Sequence, residues 1–384
     1  MKIMESPESK PIIEVLCFID YDTYKLHAGE KTGGEADKEV EDYFLPFWKN
    51  VDHYLSLLNI RISLKGIIIA HTREEENVFL NSQKNRLFAD AFNSTATLSS
   101  LGKYIYSNKN LPTHDLAIVV TQSVLCNEKE LKKDKTRKLK KSFKKNSCQD
   151  ASDVANTLKW ICIGSDDKEA TSTSVAIIRD QNKMYKGVRN AVFAIGRSLG
   201  ISMDGAKDDD DAKKCKSEDG YFMSGNTNFH LPYKFKWSNC SVQSFNNKHS
   251  LIYQTMWYCL FETTNEKVID FSKAPFPGEI LSLDNYCKKL TDYKACSYDD
   301  VCTSLTCSSG EDCGRTIKGP AIEGSWCGSN ETSTMRCEYG KCVPFSSNKL
   351  KENNALENMF QYFTSFGYRR YMAREAHNKM MYAK

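Results

Sequence analysis

Two residue types in this chain have chemistry that depends on spacing, histidine and cysteine, and only cysteine is spaced for use. The seven histidines are His27, His53, His71, His114, His230, His249 and His377, and none lies within four residues of another. No local pair can therefore meet at i and i+4 on one helix face, the spacing by which two imidazoles reach a single ion. A histidine metal site would need convergence over long range. The cysteines number 15, and eight of them fall between Cys287 and Cys342. Such density indicates a disulfide framework made in an oxidising compartment. The competing chemistry is a set of intracellular zinc clusters. It calls for CxxC pairs, and the sequence has none.

Charge is clustered even though its sum is small. Between Cys126 and Cys148 the chain carries ten Lys and Arg against three acids. They include Lys132, Lys133, Lys135, Arg137, Lys138, Lys140, Lys141, Lys144 and Lys145. A bond between Cys126 and Cys148 would make this insert a projecting basic loop. Such a loop either serves solubility alone or binds glycosaminoglycan, anionic lipid or another acidic surface by counterion release. The net charge of +4 is too small to imply nucleic acid. Phe143 is the one aromatic among these cations, which does not suit base stacking. The run Asp208 to Asp211 lacks the alternation and turn glycine of a calcium loop and reads as exposed loop.

The elements that must position any site read as strands alternating with helices. Apolar runs at 12–19, 60–70, 116–120, 158–163 and 174–178 read as strands. Val40, Phe44, Phe47, Trp48, Val51, Tyr54, Leu55 and Leu58 recur at helical spacing from 38 to 58. Residues 78–106 are mostly helical in pattern. Further helices are expected at 183–199, stopped by Gly200, and at 248–261. This alternation implies a mixed α/β sheet covered by helices. Near Val268 the composition turns to Ser, Cys and Gly. The expected organisation is a first domain over 12–267, a cysteine-rich module over 268–346 and a helical tail over 347–384. Hydrophobic residues make up 40% of the 384 residues, enough for a real core.

One segment carries a family resemblance. Residues 193–205 read Phe-Ala-Ile-Gly-Arg-Ser-Leu-Gly-Ile-Ser-Met-Asp-Gly. Gly196, Leu199, Gly200, Asp204 and Gly205 sit where reprolysin-type metzincins have the frame of HExxHxxGxxHD. Cys215 to Ser224 is similar to their methionine turn, with Met223 as its methionine. Phe235 to Ser241 and the strands near 14–20, 115–121 and 174–180 extend the resemblance over about 12–265. It implies a five-stranded metzincin sheet. In that frame the three zinc-ligand positions hold Phe193, Arg197 and Met203, and the general-base position holds Ala194. A phenyl ring cannot ligate zinc, a guanidinium repels it, and a thioether is a poor ligand for it. The resemblance thus implies a proteinase frame with no catalytic residue, no metal and no cofactor, although its family uses zinc. Arg197 is expected either to staple the cleft, paired to a carboxylate or to methionine-turn carbonyls, or to reach solvent.

The same family suggests Cys162 bonded to Cys259 and Cys215 to Cys240, leaving Cys17 as a buried free thiol or an intermolecular bridge. The later segment, with Cys287, Cys296, Cys302, Cys307, Cys313, Cys327, Cys337 and Cys342, resembles the cysteine-rich region of ADAMTS-like and tick salivary metalloproteinases. Four bridges are expected there, with connectivity that sequence does not give. Sequons at Asn93, Asn239 and Asn330 agree with a secreted glycoprotein, as in saliva or venom. Residues 1–11 show no apolar leader, so a secreted chain would be a processed or incomplete form. No apolar run of about 18 residues spans a membrane. The expected function is binding of host or prey proteins, matrix proteins or extracellular surfaces by an inactive proteinase homologue. The alternatives are a metalloendopeptidase with a relocated metal and a purely structural or storage role.

Overall fold

The computed structural model describes residues 10–126, 148, 153–156, 161–162, 165–225, 231, 233–262, 264, 266–291, 293–296, 300–308, 316–328 and 335–344. The first strand, β1 (Ile12–Ile19), shows why a sheet forms. Seven of its eight residues are buried. Its side chains alternate between two cores: Ile13, Val15, Cys17 and Ile19 face one, and Leu16 and Phe18 face the other. A strand apolar on both faces belongs inside a parallel sheet covered by helices. Asp20 ends it and caps α1 (Tyr21–Ala28), its carboxylate accepting from the Thr23 amide.

The next elements are α2 (Gly33–Leu55), β2 (Arg61–Ile69), α3 (Arg73–Leu80), α4 (Ser94–Ser107) and β3 (Leu116–Thr121). All eight apolar residues expected on the 38–58 helix face are buried. The sheet is completed by β4 (Val154–Asn156) and β5 (Val175–Arg179). Its order is β2-β1-β3-β5-β4. Four strands are parallel and β4 is antiparallel at the edge. The fold is therefore mixed α/β with a five-stranded mixed sheet.

Three expectations are refined by the structure. Of the strand expected at 158–163, Ile161 and Cys162 lie in a turn and the rest falls outside the described residues, while β4 holds the sheet edge. Ile161 and Cys162 are buried in the core, and Cys162 is bonded to Cys259. Residues 78–106 are mostly helical, as expected, but the helix is interrupted. Asn81, with φ +48°, stops α3, and the short strands Arg86–Phe88 and Ala91–Asn93 intervene before α4. The helix expected at 248–261 is α6 (Asn239–Met256), with a 3-10 turn at Tyr258–Phe261. It starts early because Ser238 caps it, accepting from the Ser241 amide. Between β5 and α6 lies the site helix α5 (Gly187–Ser198).

The core does not stop at 268. The Ile269 amide donates to Leu64 O of β2 at 2.8 Å. The larger core cluster continues through Phe271 and Leu281, through Leu283, Tyr286 and Cys287 of α7 (Leu283–Thr291), and on to Val301, Ile322 and Cys337. One buried carboxylate fixes the junction. Glu323 accepts from the Tyr54 hydroxyl at 2.7 Å and from the Tyr339 amide at 2.7 Å, and lies 3.2 Å from His53 Nε2. The His53 and Tyr339 rings stack at 4.0 Å. Bonds Cys287–Cys307, Cys302–Cys337 and Cys327–Cys342 hold the cysteine-rich part, and Cys296 is also disulfide-bonded. Cys313 and the segment read as a tail lie outside the described residues.

Removing Glu323 leaves three buried polar partners facing nothing, so Glu323→Ala should cost about 3 kcal/mol. Urea unfolding should show a single transition at lower denaturant. Two separate transitions, with the earlier part unchanged in stability, would contradict a shared core.

Candidate functional site

The site is built on α5 and the turn beneath it. The helix begins at Gly187, later than expected, because Asn182, Lys183 and Tyr185 all take positive φ and cannot be helical. Asp180 organises this entry. It accepts from the Tyr43 hydroxyl at 2.7 Å and from the Gly187 amide at 2.8 Å. A Cβ on Gly187 would lie 2.6 Å from Asp180, so glycine is needed there. Burial raises the Asp180 carboxyl above its usual range, and Tyr43 opposes that shift. Val188, Ala191, Val192, Ala194 and Ile195 form the apolar face.

The end of α5 is a bend closed by backbone bonds. Gly200, with φ +80°, lets its amide reach Arg197 O and the Ile201 amide reach Gly196 O, each at 2.9 Å. This is a Schellman stop. The chain then passes over the loop holding Met223. A Cβ on Gly196 would lie 2.7 Å from Met223 Sδ, so the missing side chain sets how closely the loop approaches. Met223 is fully buried and its carbonyl accepts from the Asp204 amide at 3.0 Å.

Two buried charges brace this loop. Arg189 donates to Tyr221 O at 2.8 Å and to Ser224 O at 3.0 Å, on either side of Met223. Burial lowers its guanidinium to about 10. Asp204 accepts from Ser238 Oγ at 2.6 Å and from Ser241 Oγ at 3.4 Å, which ties the bend to the start of α6. Burial raises its carboxyl. Lys234 is buried close by, and burial, then Arg189, lowers its amine to about 7. The Cys215–Cys240 bond closes the same region covalently.

The positions singled out in sequence lie together on this frame. Phe193 is half-buried against the larger core. Ala194 is buried, and its carbonyl accepts from Asn156 Nδ2 of edge strand β4 at 3.2 Å. Met203 is half-buried, and a Cβ on Gly225 would lie 3.1 Å from its methyl. Among the described residues Arg197 pairs with neither a carboxylate nor the methionine-turn carbonyls. It donates from Nη1 to Ile201 O at 2.9 Å, capping its own bend. Burial lowers its guanidinium, and Asp208 opposes that shift. The methionine-turn staple is Arg189, about two turns earlier on the same helix.

No established family profile matches the chain. An ADAMTS-like protein of Bombyx mori, described as "A disintegrin and metalloproteinase with thrombospondin motifs like", is 31% identical over 88% of this chain and 45% of its own length. Human "A disintegrin and metalloproteinase with thrombospondin motifs 6" is 24% identical over 78% of the chain and 25% of its own length. The chain thus spans less than half the length of these curated relatives. Among solved structures, archaemetzincin from Methanopyrus kandleri shares 10% identity over 62% of this chain and 87% of its own, with a TM-score of 0.28, too low to carry any argument. The similarity to the silkworm protein runs through both the site and the cysteine-rich part. The chain is thus similar in sequence to ADAMTS-like metalloproteinases.

In that frame the side chains at 193, 194, 197 and 203 offer no imidazole, carboxylate or thiolate. The described histidines are placed elsewhere. His27 is buried against Tyr43 and Phe44, and burial lowers its imidazole to about 3. His53 joins Glu323, His71 lies beside Asp37 and Glu75, and His114 contacts Pro112 O. His230 and His377 lie outside the described residues, as does the side chain of His249. Among the described residues, two other groups of possible metal ligands come together. Asp20, Asp22 and Glu76 come together, with Arg73 and Arg86 paired to Asp22 and Glu76. The sulfurs of Cys302, Cys327 and Cys342 approach one another but belong to two disulfides.

The remaining expectations fall as follows. Cys126 is bonded to Cys148, so the basic insert is closed at its base, but Lys132, Lys133, Lys135, Arg137, Lys138, Lys140, Lys141, Lys144 and Lys145 lie outside the described residues. Cys17 is free and buried, and burial holds its thiol up at about 12. The acidic run is more ordered than an exposed loop. Asp209 accepts from Ser202 Oγ at 2.6 Å and from the Asp211 and Ala212 amides, closing the loop onto the bend, while Asp208 and Asp210 stay exposed. Asn93 caps α4 and Asn239 opens α6, whereas Asn330 is not among the described residues.

If Arg189 braces the turn and Arg197 only its own bend, their alanine variants should differ. Arg189→Ala should cost about 3 kcal/mol, as for a buried charge with committed partners, and Arg197→Ala about 1 kcal/mol. Equilibrium unfolding of both variants would test this, and the reverse order would overturn the assignment.

Proposed function

We propose that this chain is a secreted, catalytically inactive metalloproteinase homologue that acts by binding. The observation that carries the reading is Arg197. It stands where the resemblance puts the second zinc-binding histidine, and its guanidinium spans the bend to Ile201 O. A fixed cation at that position repels a divalent ion. Phe193 and Met203 supply no zinc donor of useful strength, and Ala194 has no group to move a proton. No zinc cofactor and no hydrolytic step are therefore assigned to this chain.

Binding needs only what remains. The edge strand β4 is antiparallel and short, and its backbone can pair with an extended peptide without a metal. The basic insert between Cys126 and Cys148 offers a separate attraction for glycosaminoglycan or an acidic extracellular surface. Host or matrix proteins are the expected partners. The disulfides support an oxidising, extracellular location. No helix among the described residues is long and apolar enough to cross a membrane.

Metal analysis and peptide cleavage test the proposal together. The purified chain should contain no stoichiometric zinc and leave quenched peptide substrates uncut. The variant Phe193→His, Ala194→Glu, Arg197→His, Met203→His should gain zinc on the existing frame while keeping its circular dichroism. Chelator-sensitive cleavage by the unaltered chain would overturn the reading.

A further inference from the structure

We propose that Asn239 carries an N-linked glycan that is attached before Cys240 closes its bond to Cys215. This rests on the secretory reading above and adds a site and an order of events. The sequon Asn239-Cys240-Ser241 forms the first turn of α6, after the cap Ser238. Its three residues have opposite environments. Asn239 is exposed, so an attached glycan would stand in solvent. Cys240 is buried and bonded to Cys215. Ser241 is only 1% exposed, and its hydroxyl contacts Asp204 and Ser238.

A transferase recognises both the asparagine amide and the hydroxyl two residues on. In the folded chain these groups are separated, one facing water and one packed under the bend. The acceptor must therefore be the chain before α6 docks. The Asn239 side-chain nitrogen attacks the anomeric carbon of a lipid-linked oligosaccharyl pyrophosphate. A carbon–nitrogen bond forms and the carbon–oxygen bond to pyrophosphate breaks. The lipid pyrophosphate leaves with the electron pair, and the amide proton passes to a base on the transferase. Folding then buries Ser241 and Cys240 beneath a residue whose glycan points outward.

Asn93 provides an internal reference. It is half-buried and caps α4, but the second hydroxyl of its sequon, on Thr95, is exposed. The full chain, preceded by a cleavable secretory leader, should be secreted from cultured insect cells and treated with peptide-N-glycosidase in heavy-oxygen water, which marks each former glycan site as labelled aspartate. Label at 239 in most molecules is expected, and Asn239→Gln should lose one glycan in gel mobility. A secreted, disulfide-bonded chain bare at Asn239 would overturn the site, even if Asn93 is labelled. A chain kept inside the cell and bare at both asparagines would sink the secretory reading and this inference with it.

The order is tested separately. Unglycosylated full chain, made in an oxidising bacterial compartment, is offered to oligosaccharyltransferase with a lipid-linked donor. Native chain should gain nothing at Asn239, and reduced, denatured chain should accept the glycan there. Equal transfer to the native chain would overturn the order.

Discussion

The close approach of Met223 to Gly196 is the contact on which the rest of the site depends. Glycine leaves no Cβ, so the sulfur can lie directly under α5. The loop that carries it must then bury polar backbone, and each buried group needs a partner. Arg189 meets the carbonyls of Tyr221 and Ser224, and the Asp204 amide meets that of Met223. Asp204 passes the constraint to α6 through Ser238. A helix, a bend and a turn are thus joined by direct protein bonds.

On the proposed reading, this bracing lets the frame stand without the chemistry it resembles. In a metal centre the ion itself adds binding energy to the fold. Here, Phe193 adds apolar contact with the core, and Arg197 bonds a carbonyl of its own bend. Glu323 does comparable work at a distance, holding Tyr54 on α2 and Tyr339 in the cysteine-rich part. The core reaches from β1 to Cys337, so the site rests on both.

Long apolar signals made much of this legible in sequence. β1 and α2 read correctly because burial on two faces, or on one helical stripe, leaves a repeated pattern. The edge strand did not, since Val154-Ala155-Asn156 is too short to show a period and Leu158–Ile163 looked better. The early end of α3 and the late start of α5 depended on positive φ at Asn81, Asn182, Lys183 and Tyr185, which no composition signals. Arg197 was found, but its partner was not, because the carbonyl of Ile201 looks like any other. Arg189 was missed for the same reason, although a lone arginine on an apolar helix face was a usable clue. Glu323 and His53 are 270 residues apart, beyond any local pattern. The pairings Cys162–Cys259 and Cys215–Cys240 were suggested by the family resemblance and not by spacing.

On the proposed reading, bonds within the chain hold the turn beneath α5 without an ion. Thermal unfolding in a strong chelator, compared with added zinc, addresses it most directly. The account predicts the same melting temperature in both. A clear fall with chelator, restored by zinc, would contradict it.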